Sequence, residues 1–275
     1  MDPATFPLNF LAPNLFRGKT ALVTGGRSGI GYAIAESLIK LGARVCICSR
    51  KPEPLAAAAA ALNELGTCVH RPCDIRNGEE VDALADFIAE EFGQLDLLVN
   101  NAGGQFPGLA TNLSDNGWNA VISTNLNGTS YVSRRMAERF FIPQRSGNIV
   151  SIIVNMLRGF PGMAHTGAAR AGVENLSKSL AQEWARYNVR VNCVAPGTIL
   201  SSGLDTYAEP VRQLLDQMKE DNLMGRHGTV EEVASAVLFL ASPLASYTSG
   251  TTVYVDGMDH LHGDRMRLVR GARQS

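Results

Sequence analysis

The chain carries no excess of charge of either sign: 25 Lys and Arg residues stand against 26 Asp and Glu, a formal net charge of -1. Without a basic field there is little to hold a polyphosphate backbone, so no nucleic-acid partner is expected. No apolar run approaches 18 residues, so no membrane span is expected. The five cysteines, at 46, 48, 68, 73 and 193, are odd in number and form no CxxC pair. They read as buried, reduced thiols in a reducing compartment rather than as a disulfide or zinc framework. Met1 to Phe10 includes an Asp and no basic stretch, unlike a secretory leader. The last residues, Arg273-Gln274-Ser275, are not the Ser-Lys-Leu peroxisomal address. A cytoplasmic setting is the simplest expectation. His260 and His262 beside Asp259 and Asp264 read as a solvated tail, so no metal site is expected.

What is present is an ordinary globular composition, 45% hydrophobic and 19% charged over 275 residues, enough for a substantial core. Short apolar runs alternate with runs of helical period. That alternation predicts an α/β fold, a single Rossmann-type domain over 1–275 with about seven parallel strands and helices on both faces. Its core spans about 16–257, with tails at 1–15 and 258–275.

The first junction organises the rest. Ala21-Leu22-Val23 reads as a strand, and Ile34, Leu38 and Leu41 recur at helical spacing after it. Between them lies Thr24-Gly25-Gly26-Arg27-Ser28-Gly29-Ile30-Gly31. Glycines here allow positive φ and close backbone approach, and the first helical turn offers free N–H groups and a positive dipole end to a phosphate. The second strand, Arg44 to Ser49, ends in Ser49-Arg50-Lys51. An acidic residue there suits the ribose of NAD, whereas a basic one accommodates the 2'-phosphate of NADP. Arg50, Lys51 and Arg27 therefore predict NADP(H).

Pro52 to Leu65 reads as a helix closed by Gly66, and Cys68 to Cys73 as the third strand. Asp74-Ile75 follows, where Asp74 either meets the adenine amino group or caps the next helix. The fourth strand, Leu95 to Val99, runs into Asn100-Asn101-Ala102-Gly103-Gly104, a small-residue turn at a strand end where a cofactor can lie flat. A long helix from Ser114 to Phe141 carries Asn125 in its middle, a position where Asn is disfavoured. Gly147 to Val154 is the fifth strand, His165 to Trp184 lies in the next helix, and Val189 to Val194, ending in Ala195-Pro196-Gly197, is the sixth strand. An amphipathic helix is expected at Val211 to Met218, then a helix over Val230 to Ala241 and a last strand at Thr252 to Val255.

Four ordered motifs, TGGRSGIG at Thr24, NNAG at Asn100, NLNG around Asn125 and the PG after the sixth strand, resemble the short-chain dehydrogenase/reductase family from about Phe16 to Gly257. The resemblance extends the cofactor set to Asn101, Ala102, Gly103, Pro196, Gly197, Ile199 and Ser201, and implies a homotetramer through the helices after the fourth and fifth strands. The family's Ser-Tyr-Lys set is replaced: the run A-A-R-A-G-V puts Arg170 at the Lys position, Thr166 at the Tyr position and Ile153 at the Ser position. Ser151 and Asn155 are the nearest polar neighbours of that missing serine. None of the six tyrosines has a Lys four residues on, and Tyr131 with Arg135 comes nearest.

The segment His165-Thr166-Gly167-Ala168-Ala169-Arg170, together with Asn101 to Phe106 and Leu11-Ala12-Pro13, resembles peroxisomal trans-2-enoyl-CoA reductases and, less closely, 2,4-dienoyl-CoA reductases. Glu174 departs from the Tyr of those relatives. A ketone reduced by hydride needs a proton on oxygen at once, which a phenol supplies and a Thr hydroxyl does not. An enoyl thioester instead sends charge to its oxygen as an enolate, which hydrogen-bond donors can hold. The expected activity is thus an NADPH-dependent reductase acting on an acyl-thioester substrate, with Thr166, Asn125 and Arg170 at the site. Two alternatives stay open: a carbonyl or alcohol oxidoreductase of the same fold, and an NADP(H)-binding protein without turnover.

Overall fold

In the computed structural model, which describes residues 12–200, 219 and 222–261, the apolar runs become strands β1 (Thr20–Thr24), β2 (Arg44–Ser49), β3 (Cys68–Pro72), β4 (Leu97–Asn100), β5 (Gly147–Ile152) and β6 (Val189–Pro196). Two short strands, β7 (Ile199–Leu200) and β8 (Gly228–Thr229), pair separately, and β9 (Thr252–Val255) completes the main sheet. That sheet has seven strands in the order β3-β2-β1-β4-β5-β6-β9, all parallel. The chain moves outward from β1 to β3 and then returns to lay β4 on β1's other side. The crevice beyond the carboxyl ends of β1 and β4 is therefore the place where such sheets bind ligands.

Strand alternation feeds both faces. Val23, Ile47, Val99 and Val150 pack on one face with α1 (Gly29–Lys40) and α2 (Pro52–Asn63). Leu22, Cys46, Leu98 and Ile149 pack on the other with α3 (Gly78–Phe92). The long helical stretch after β4 runs as α4 (Asp115–Ile122), α5 (Gly128–Met136) and α6 (Ile142–Gln144), joined by π turns at Ser123–Asn127 and Ala137–Phe141. Val132 and Met136 of α5, with Leu180 and Trp184 of α7 (Ala164–Trp184), cover that second face. Val233, Val237 and Leu238 of α8 (Val230–Ala241) join the first. Each fully buried Leu or Ile contributes roughly 1.5–3 kcal/mol over exposure, so the two layers hold the strand ends rigidly.

Helix ends follow local chemistry. Asn77 Oδ1 accepts from the Glu79 N–H at the start of α3, and left-handed Gly93 (φ 73°) closes it. Thr229 and Glu232 form a reciprocal capping box on α8, with Arg226 paired to Glu232. Two expectations are corrected. Asp74 does not cap α3, because Asn77 does; Asp74 pairs with Arg76 instead. Gly66 is not the cap of α2, whose C-cap is Glu64; a Cβ at Gly66 would lie 2.8 Å from Ile39 Cγ2, so the glycine makes room for α1. The fifth strand stops at Ile152 rather than Val154, and the sixth extends to Pro196. The Val211 to Met218 stripe, Ser201, His262 and Asp264 lie outside the described residues.

Candidate active site

The turn after β1 is built around Thr24. Its Oγ accepts from the backbone N–H groups of Asn101 and Ala102, each at 3.0 Å, and donates to Val99 O at 3.3 Å. Asn101 answers by donating its side-chain amide to Thr24 O and Gly25 O at 3.0 and 3.2 Å. Gly25 has φ 67°, and a Cβ on Gly31 would strike Gly25 O and the Asn101 amide, so a side chain at either position would push the two strand ends apart. Ser28 stands at the N-cap of α1 without making a side-chain cap bond, and no acidic residue occupies the first turn. The first N–H groups of a helix have no partner within it, so this turn suits an anion.

Beside this turn is a cleft of about 330 Å³, lined by Gly25, Arg27, Ser28, Ile30, Ser49, Arg50, Lys51, Asp74, Ile75, Asn101, Ala102 and Gly103. All twelve were expected from sequence to contact a cofactor. Arg27, Arg50 and Lys51 are exposed on its wall. Asp74, half-buried, is held below the usual carboxylate range by its hydrogen bonds from Arg76, with Arg50 adding to this at longer range. Of the remaining expected cofactor residues, Gly29 and Gly31 lie in the first turn of α1, while Pro196 ends β6, Gly197 follows it and Ile199 opens β7; none of these five is among the residues that line the cleft. Three lining residues were not foreseen: Cys48, Cys73 and Thr124. From sequence the two cysteines read only as buried thiols. Contact with Cys73 and burial together push the Cys48 thiol well up, so it stays neutral. All five cysteines are free and buried.

The region around the start of α7 is different. Ile153, at the serine position, packs with Val173, Cys193 and Ala195 and can offer no hydroxyl. Ser151 lies buried within β5, beside Asn100 of β4, whose Nδ2 donates to Ser151 Oγ at 3.4 Å and to Ser133 Oγ at 2.9 Å. Asn155 is bound to Asp259. Tyr131 lies under the guanidinium groups of Arg134 and Arg135, and Arg135 pairs with Asp82. Glu174, one turn beyond Arg170 on α7, accepts from Lys178 and Thr252. His260 pairs with Asp256, and no metal-binding cluster exists among the described residues.

Asn125 lies in the first π turn, nearly fully buried, and uses both halves of its amide on one residue: Oδ1 accepts from Gly104 N at 3.0 Å and Nδ2 donates to Gly104 O at 2.8 Å. It fixes the loop after β4. Thr166 is fully buried with its Oγ unpartnered among the described residues, and Arg170, one turn on, has Nε and Nη1 unpartnered. A Cβ at Gly103 would collide with Arg170 Nη2 and approach Asn125 Oδ1 within 2.7 Å, so Asn125, Gly103 and Arg170 meet at one point. Burial lowers the Arg170 guanidinium to about 10, which leaves it a cation near neutral pH.

A model of the family described as enoyl-(acyl carrier protein) reductase matches residues 25–257. The chain belongs to the short-chain dehydrogenase/reductase family. It is 38% identical over 253 residues to a peroxisomal 2,4-dienoyl-CoA reductase of Pongo abelii, covering 90% of this chain and 86% of that one. It is 40% identical over 251 residues to a 3-oxoacyl-(acyl-carrier-protein) reductase of Chlamydia trachomatis, covering 88% and 98%. Among solved structures it resembles a citronellol catabolism dehydrogenase of Pseudomonas aeruginosa, with TM-score 0.82, 39% identity and coverage of 91% and 98%. Like other short-chain dehydrogenase/reductases, it is an oxidoreductase of a family that binds a nicotinamide cofactor, NAD or NADP. The residues present fit that group: glycines whose Cβ atoms would close the turn, free N–H donors at α1, a Ser49 Oγ buried without a partner, and the unpaired guanidinium atoms of Arg170.

Proposed function

We propose that this short-chain dehydrogenase/reductase is an NADPH-dependent reductase of enoyl thioesters, working at the β-carbon of a trans-2-enoyl group. The observation that carries this reading is the replaced catalytic set: a core Ile153, a short Thr166 and an Arg170 that is charged near neutral pH where a ketone-reducing member needs Ser, Tyr and Lys. NADPH, when bound, supplies hydride. Arg27 and Arg50 would hold its 2'-phosphate with forked, fixed charge, the α1 turn would take its pyrophosphate, and Arg170 would take the nicotinamide ribose.

The chain's own work is then electrostatic. As charge develops on the thioester oxygen, Thr166 Oγ donates to it and Arg170 supplies positive potential from a site already desolvated. Asn125 keeps the loop after β4 in place by its two bonds to Gly104. Arg170 relays no proton because it remains ionised, so the α-carbon is protonated from water. A conjugated dienoyl thioester, the substrate named for the Pongo relative, would send its charge to the same oxygen. The proposal includes the homotetramer that the family resemblance implies and a cytoplasmic setting.

The Chlamydia relative favours a second reading, reduction of a 3-oxoacyl thioester. Following NADPH absorbance with trans-2-enoyl-CoA, 2,4-dienoyl-CoA and 3-oxoacyl-CoA separates the two. Oxidation with the enoyl or dienoyl substrate and not the ketone is expected. Turnover of the ketone alone would remove our reading, and NADPH binding without turnover of any substrate would leave a binding protein.

A further inference from the structure

His165 is the residue before Thr166, in the first turn of α7, and its ring is fully buried. Its Nδ1 accepts a 2.9 Å hydrogen bond from the Thr166 backbone N–H. A ring nitrogen that accepts holds no proton, so the neutral imidazole carries its hydrogen on Nε2. That Nε2–H has no partner among the described residues. A buried donor in this state is costly, and folded chains leave one where a ligand completes it.

Its surroundings identify the ligand's position. The imidazole meets the ring of Phe106 at 4.7 Å, nearly perpendicular. Phe106 belongs to the loop that begins at Gly103, where Arg170 and Asn125 converge, and continues through Gly104, which Asn125 clamps. His165 Nε2, Thr166 Oγ and two guanidinium atoms of Arg170 are thus unpaired polar groups on two turns of one helix, bordering one loop. Every other polar group of that loop named above is already paired.

We infer that His165 is a further catalytic residue of this site: its neutral imidazole donates Nε2–H to the substrate's thioester oxygen and holds the charge that develops there. The inference rests on the proposed enoyl-thioester reduction. The ring keeps its proton throughout. It acts as a fixed dipole beside the Thr166 hydroxyl, and Phe106 sets its plane.

Three measurements on the full-length protein test this. Long-range 1H–15N spectra of the histidine rings should show one imidazole with Nδ1 unprotonated and Nε2 protonated, and its Nε2 resonance should move when crotonyl-CoA is added with NADP+. A ring protonated on Nδ1, or an Nε2 signal indifferent to crotonyl-CoA, overturns the inference without any use of activity. His165→Phe keeps the aromatic contact with Phe106 but removes the donor, and should lower kcat for trans-2-enoyl-CoA by about 10²-fold with NADPH affinity unchanged. His165→Gln, which restores an N–H at similar reach, should recover most of that loss. An active wild type whose His165→Phe variant stays within about threefold in kcat overturns the role of His165 alone. A wild type without enoyl-CoA turnover overturns the proposed function and this inference with it.

Discussion

Around Thr24 the chain satisfies its own polar atoms: one hydroxyl serves two N–H groups and one carbonyl, and Asn101 returns two bonds to the turn that receives it. At the start of α7, across the same crevice, His165 Nε2, Thr166 Oγ and Arg170 Nε and Nη1 are buried with nothing to bind. The first region is shaped before any ligand arrives. The second is held at a cost that a ligand must offset. Substitutions in the two regions should therefore separate stability from turnover in opposite directions.

Arg170→Met should have the largest effect. Turnover should fall about 10²- to 10³-fold, while the cofactor-free protein melts at a higher temperature, because an unpaired buried cation is removed. The sign follows from burial lowering Arg170 to about 10: its cost to folding is present in full below that pH and is relieved as pH rises through it. A lower Tm for this variant would break the contrast. Thr24→Val is the mirror experiment. Two backbone N–H groups lose their acceptor, and the protein should lose about 2–3 kcal/mol, measured by urea unfolding. Unchanged stability would mean that the turn does not depend on its own bonds.

Arg27→Ala with Arg50→Ala should weaken NADPH binding by about 10- to 100-fold and leave NADH binding unchanged, read by fluorescence titration of both nucleotides. Equal loss for both would remove the 2'-phosphate from these arginines. The smallest effect is expected for Asp74→Asn. Arg76 depresses the Asp74 carboxyl, so its contribution to stability is present above the ordinary carboxylate pKa and is lost as pH falls through the depressed value. The variant should flatten the acid side of the Tm–pH curve below about pH 4.

Much of the first region was legible in the sequence. Glycine spacing, the strand before it and the basic residues after β2 are local signals, and twelve expected residues line one cleft. Cys48, Cys73 and Thr124 were not legible as lining residues, because their exposure to the cleft depends on how three separate strand ends and a helix are juxtaposed. The second region was legible mainly as a loss. Ile153, Thr166 and Arg170 could be placed by motif, but motif alone did not single out Gly104 as the partner of both halves of the Asn125 amide. The same holds for His165, whose lone donor appears only when Thr166 N–H is seen to occupy Nδ1.

The sequence by itself determined the α/β alternation, the strand-turn-helix at Thr24, the basic residues on the cleft wall and the absent Ser-Tyr-Lys set, since each is written in near neighbours or in a fixed helical spacing. Only the tertiary structure decided which polar atoms are satisfied. Hydrogen bonds across Thr24–Asn101 and Asn125–Gly104, and the edge-on ring contact of His165 with Phe106, join residues 21 to 77 positions apart, and no period or propensity encodes such a meeting.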